Sequence, residues 1–111
     1  MFAWRIALSE TLGGFEHQVL LSMMRLGGEA YSVPIIRELE GSVGRSPAPA
    51  AVYVTLRRLE RRGLLTSHMA PSDDGGRPRR VFRVEAAGVD VLRAVRSDLT
   101  RLWKGIEALE P

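Results

Sequence analysis

The chain has 111 residues, one domain's length, with 45% hydrophobic and 26% charged residues, the balance of a soluble globular protein. The absence of cysteine excludes a disulfide framework, a thiolate metal site and a thiol nucleophile, and no apolar run approaches the roughly 18 residues of a membrane span. Net charge is only +3, yet residues 45–83 hold nine arginines against three acids (Glu60, Asp73, Asp74), while the rest of the chain holds seven basic and ten acidic residues. A basic middle on a slightly acidic frame is the footprint of an anionic partner, most commonly nucleic acid.

The opening "MFAWRIALSETLGG" has one positive charge and no long apolar stretch, so it does not read as a signal peptide, and a cytoplasmic location is expected. Residues 14–26 place Phe15, Val19, Leu20, Met23 and Leu26 at helical spacing, and Gly27-Gly28 stops the helix. Tyr31 suits a short strand or bridge. Ser32 followed by Pro34 predicts an N-cap and an early helical proline, opening a short helix with Ile35, Ile36 and Leu39 inward and an end near Gly41 or Gly44. "RSPAPA" is a turn. "AAVYVTLRRLERRG" is a third helix closed by Gly63, "LLTSHMA" a strand, "PSDDGGRPR" a hairpin tip and "RVFRV" the partner strand. A long helix then runs from Glu85 to Leu109. Two helices joined by a turn, followed by a basic hairpin, predict a mainly α, winged helix-turn-helix fold with a small β-hairpin wing. The expected division is a DNA-binding domain over residues 1–84 and a C-terminal dimerisation helix over 85–111.

Within the third helix, Val52, Leu56 and Leu59 define the buried stripe at about 100° per residue. Ala50, Tyr53, Val54, Arg57 and Arg61 then face outward. Small residues, including Pro49 and Ala50, lie near the N-terminal end, with an aromatic and arginines behind. A helix entering a major groove needs this order, because its N-terminal residues come closest to the base edges. Tyr53 suits a phosphate contact, Arg57 a guanine or phosphate, and Arg58 and Arg62 the flanking backbone. The competing reading is a solvated amphipathic helix, against which exposed Tyr53 and Val54 count. In the hairpin, Arg77, Arg79 and Arg80 are expected at phosphates or a narrow minor groove beside that helix, with Gly75 and Gly76 letting the tip bend. Strand alternation separates Arg80 and Phe82 from Val81 and Arg83, so Val84 and one of Val81 or Phe82 should point inward.

"AVYVTLRRLERRGLL" followed by "GGRPRRVFRVEAAG", extended back through "FEHQVLLSMMRLGGEAYSVPIIRELE", resembles the PadR family of bacterial transcriptional regulators over about residues 12 to 105. The resemblance implies a winged-helix homodimer that binds operator DNA, usually as a repressor. It also implies, for some members, a small aromatic or hydrophobic effector, and for a short subgroup a single C-terminal helix for dimerisation. Two positions depart from the family pattern. Ala48-Pro49-Ala50 stands where serine, proline and glycine are usual, so Ser46 is expected to cap the third helix, and Glu85 stands where a capping threonine is usual.

Leu92, Val95, Leu99, Leu102, Ile106 and Leu109 are spaced 3, 4, 3, 4, 3, with Trp103 beside them, which reads as a heptad seam for a homodimer. A helix of about 24 residues would span roughly 36 Å, more than so small a domain covers by itself. An internal core is the competing use of that stripe. Phe15, Met23, Met24, Trp4 and Trp103 are candidates for an effector pocket, with core packing as the bland alternative. His17 and His68 have no acidic cluster beside them, and Asp73-Asp74 reads as a polar hairpin tip. No phosphate loop or nucleophile-base pair is present, so no enzyme, metal or cofactor is expected. The expected function is sequence-specific binding of double-stranded DNA at a palindromic operator. The alternative is a winged-helix interaction module for an acidic protein partner.

Overall fold

The computed structural model describes residues 12–106 and 108. In chain order these form α1 (Gly14–Arg25), β1 (Glu29–Ala30), α2 (Ser32–Val43), α3 (Pro49–Arg61), β2 (Leu65–Ala70), β3 (Arg79–Val84) and α4 (Ala86–Trp103). The helical periodicity of α1 buries Val19, Leu20 and Met23 completely. At its start the Glu16 carboxylate accepts the Gly13 N–H at 2.9 Å, satisfying one free first-turn donor. At its end the Gly28 N–H returns to the Met23 carbonyl at 2.8 Å.

Helix α2 begins one residue earlier than expected. Tyr31 holds the N-cap position, Ser32 is the first helical residue, and no side chain caps the end. Pro34 is still tolerated, because N–H groups of the first turn have no intrahelical acceptor to lose. Gly44 closes the helix with φ 71°, a left-handed conformation that favours glycine, and sends its N–H to the Glu40 carbonyl at 3.1 Å. Five residues later Pro49 opens α3. Ser46 does not cap it, contrary to expectation, because its hydroxyl donates to Glu40 Oε2 at 2.5 Å. Ala48 is the N-cap residue instead, held extended (ψ 135°) by the proline that follows it.

The sheet is antiparallel in the order β1-β3-β2, with Ala30 opposite Phe82 and Ser67 opposite Phe82 on the other side. Alternation puts Arg80, Phe82 and Val84 on one face. Phe82 is fully buried there and Val84 packs against the core, so of the two candidates Phe82, not Val81, points inward. Arg79, Val81 and Arg83 occupy the other face. The hydrophobic core joins α1 to Ile35 and Leu39 of α2, Val52, Leu56 and Leu59 of α3, Leu65 and Phe82 of the sheet, and Val91 and Leu92 of α4.

The last helix is shorter than its heptad pattern predicts. Helix α4 has 18 residues, about 27 Å at 1.5 Å per residue, and not the expected 24. Lys104 leaves the helical region with ψ 126° and Gly105 adopts φ 89°, so the chain turns before Ile106. The pattern runs straight through a glycine that the backbone uses as a stop. Leu109 lies outside the described residues. At the other end Glu85 offers no side-chain cap; its carboxylate accepts the Thr66 hydroxyl at 2.8 Å, tying the entry of α4 to β2. No described helix is long and apolar enough to cross a membrane.

Candidate nucleic-acid interface

Burial of Val52, Leu56 and Leu59 turns the opposite side of α3 outward. That side presents Pro49 and Ala50 at its start, then Tyr53 and Val54, 41% and 50% exposed, then Arg57, Arg58 and Arg61. Large exposed apolar groups beside cations are unusual on a merely solvated helix. Tyr53 is also braced, its ring meeting the edge of Phe82 at a centroid distance of 6.1 Å and an interplanar angle of 75°. The recognition-type helix and the hairpin therefore share an aromatic joint.

The arginines divide into tethered and untethered groups. Arg62, expected on a DNA backbone, is half-buried and its Nη1 donates to Glu16 Oε1 at 3.0 Å, fastening the end of α3 to the start of α1. Arg79 stacks its guanidinium 4.3 Å above the Tyr31 ring and lies 3.7 Å from the Asp74 carboxylate. Arg80 shares the inward face with Phe82 and donates to the Ser67 hydroxyl at 3.0 Å. Arg57 faces Glu60 at 3.7 Å. Arg58, Arg61 and Arg77 are exposed and meet no acid among the described residues. The hairpin tip is shaped by Asp74, whose carboxylate accepts the Ser72 hydroxyl and, at 3.0 Å, the Gly76 N–H. Those two bonds, the hydroxyl's first, hold the Asp74 carboxyl below its ordinary pKa.

The seam residues of α4 also divide. Leu92 is 8% exposed and Val95 packs against the core, whereas Leu99, Leu102, Trp103 and Ile106 are 43%, 71%, 47% and 43% exposed. A hollow of about 440 Å³ lies between α1 and α4, lined by Leu21, Met24, Val89 and Leu92 with His17, Arg93 and Arg96. Of the five side chains considered for one effector pocket, the four among the described residues do not meet there. Met23 is in the core, Phe15 lines a separate hollow of about 170 Å³ beside Leu39 and Pro47, and Trp4 lies outside the described residues. Among the described ones only Met24 reaches the larger hollow. Two polar residues that the sequence reading passed over, Glu60 and Ser67, sit between α3 and the hairpin, joined at 2.6 Å. The Arg57-Glu60 spacing of three on one helix was the available signal.

A helix pair around a tight turn, a third-helix face of small, aromatic and cationic residues, and a basic hairpin beside it define a winged helix-turn-helix protein with the fold of DNA-binding regulators. The model of the transcriptional regulator PadR-like family matches residues 20–94. A solved PadR family transcriptional regulator from Eggerthella lenta is 30% identical, with a TM-score of 0.66 over 82% of this chain and 79% of that one. A PadR-like transcription factor from Bacteroides fragilis superposes with a TM-score of 0.73 at 21% identity, covering 86% of this chain and 89% of its own. The organohalide-sensing RdhR transcriptional regulator, in its 2,4-dichlorophenol-bound form, gives a TM-score of 0.69 at 19% identity over 98% of this chain and 59% of that chain. No curated protein matches the chain. The chain belongs to the PadR-like family of transcriptional regulators.

Proposed function

We propose that the protein is a cytoplasmic, sequence-specific repressor that binds a near-palindromic operator as a homodimer. The observation that carries the reading is the outward face of α3, where exposed Tyr53, Val54, Arg58 and Arg61, with the partly exposed Arg57, follow the small Pro49 and Ala50. That face has the chemistry of a helix whose start enters a major groove. The wing then lies over flanking phosphates, with Arg77 as its untethered cation and Arg79 and Arg80 behind it. The exposed apolar positions Leu99, Leu102 and Trp103 of α4 continue the stripe of Leu92 and Val95 and, with Ile106 beyond the turn at Gly105, form the two-fold contact. Two copies present two reading helices, with half-sites about one turn of DNA, roughly 10 bp, or a multiple of it apart. A bound dimer excludes other proteins from the same duplex, which is repression by occupation.

Selection of bound duplexes from a random pool tests this reading. Enrichment of a near-palindrome supports it, with Arg57→Ala then costing about 1–3 kcal/mol and relaxing one base position per half-site. A pool that stays random overturns it in favour of an acidic protein partner. A small apolar or aromatic effector is a second element of the proposal. It is motivated by the largely apolar hollow between α1 and α4, and by the dichlorophenol held by a structural relative.

A further inference from the structure

We infer that Glu60 is a positioning residue that makes Arg57 selective for a base edge over a phosphate. The inference rests on the reading that the outward face of α3 meets DNA. Four polar side chains form a relay from the third helix into the wing. Arg57 Nη1 lies 3.7 Å from Glu60 Oε1; Glu60 Oε2 accepts the Ser67 hydroxyl at 2.6 Å; the same Ser67 oxygen accepts Arg80 Nη1 at 3.0 Å. A serine hydroxyl has one proton and two lone pairs, so it can donate to Glu60 and accept from Arg80 at once. Ser67 is itself fixed on β2 by its register opposite Phe82.

The carboxylate is therefore held from the wing side, and its free oxygen faces Arg57. A guanidinium carries five N–H donors in a rigid plane. The Nη1–Oε1 approach of 3.7 Å, longer than a hydrogen bond, draws the Arg57 guanidinium toward Glu60 by charge and biases its direction while its donors remain for the paired acceptors of a guanine. A phosphate places no such demand on orientation, and reaching for one pulls the guanidinium off Glu60. The carboxylate thus favours the oriented base contact and opposes the phosphate contact. Because Glu60 is anchored through Ser67 to the strand that holds Arg80, the same group sets the wing and the reading helix in one pose.

The test uses the full chain with the operator obtained by selection and a random duplex of equal length, titrated over a range of salt. Glu60→Gln keeps an acceptor for the Ser67 hydroxyl and removes the charge. It should weaken operator binding, strengthen random-duplex binding, and lower the ratio of the two affinities by roughly two- to five-fold, the scale of an exposed ion pair. The salt slope on the random duplex should steepen by about 0.9, one added phosphate contact. In the Arg57→Ala background the effect of Glu60→Gln on the ratio should vanish. An equal gain on both duplexes that survives in that background overturns the inference, since the carboxylate then acts only by repelling DNA. Should Glu60→Gln not fold, Ser67→Ala leaves the charge but frees its anchor, and an unchanged affinity ratio in that variant overturns the inference. If Arg57→Ala alone leaves both affinities unchanged, the assignment of the third-helix face fails first and this inference falls with it.

Discussion

Gly88 lies so close to Leu64 that a Cβ at position 88 would stand 2.6 Å from the Leu64 carbonyl oxygen and 3.0 Å from Cγ1 of Val84. The obstacle is backbone, which cannot swing aside as a side-chain end does. The Leu64 carbonyl is also engaged, accepting the Glu85 N–H at 3.0 Å. Gly88→Ala should therefore cost about 1–3 kcal/mol, the range for overpacking a tight site. Thermal unfolding would register a fall of roughly 4–8 °C for each kcal/mol in a domain near this size. A midpoint equal to that of the parent would show that the start of α4 yields freely.

Leu102 is 71% exposed, the most exposed of the large apolar residues on α4. If it faces its symmetry mate, Leu102→Asp places two carboxylates together where water is excluded. The variant is expected to sediment as a monomer and to lose operator binding, while weak, salt-sensitive attraction to any duplex persists. Because the site is exposed in the single chain, the variant's fold should survive. Sedimentation as a dimer would move the two-fold contact elsewhere.

Arg77 and Arg79 are two positions apart but differently held. Arg79 is pinned over Tyr31 and beside Asp74, and Arg77 is exposed at the turn. Arg77→Ala should weaken all duplexes alike and make log K against log salt shallower by about 0.9, with no effect on folding. Arg79→Ala should also lower stability, since it removes the cation from an aromatic face. Identical behaviour of the two variants in binding and unfolding would refute the distinction.

Glu38 links the second helix to the first. Its Oε2 accepts from Ser42 Oγ and from Arg25 Nε, both at 2.6 Å, and these bonds, the serine's first, hold its pKa below the ordinary carboxylate value. A carboxylate with a depressed folded pKa contributes stability above its unfolded pKa and loses it as pH falls through the folded value. Glu38→Gln should thus be less stable than the parent near neutrality, and the gap should close as pH drops below the usual carboxylate range. The pair lies at the surface, with Arg25 exposed and Glu38 partly so, so the gap is small and shrinks with added salt. A gap independent of pH would assign the effect to hydrogen-bond geometry alone.

What could be read from the chain follows the range of the interactions involved. Val52, Leu56 and Leu59 announce their burial through helical spacing and Val84 through strand alternation, because both periods are local, whereas the choice between Val81 and Phe82 is settled only by the packed sheet, which buries Phe82. Glu16 and Arg62 are 46 residues apart and meet only after three helices have packed, so nothing near Arg62 distinguishes it from Arg58. Tyr31 and Arg79 are neighbours only through the pairing of β1 with β3. The heptad stripe of α4 fails as a guide for another reason. The same 3-4 spacing serves a residue covered by its own chain, as Leu92 is, and one left open, as Leu102 is.

The division of α4 also separates what natural selection can change cheaply from what it cannot. Val91 and Leu92 are committed to the shared core, so an altered side chain there is felt by every other element. Leu99 and Leu102, two and three turns further on, are 43% and 71% open to solvent, and their replacement leaves the folded chain nearly untouched. If the distal turns form the proposed two-fold contact, a duplicated copy of this protein can rewrite those turns and stop pairing with its sister while the rest of the molecule stays the same. Insulation between duplicates is reached through a few exposed positions, with no need to rebuild the fold.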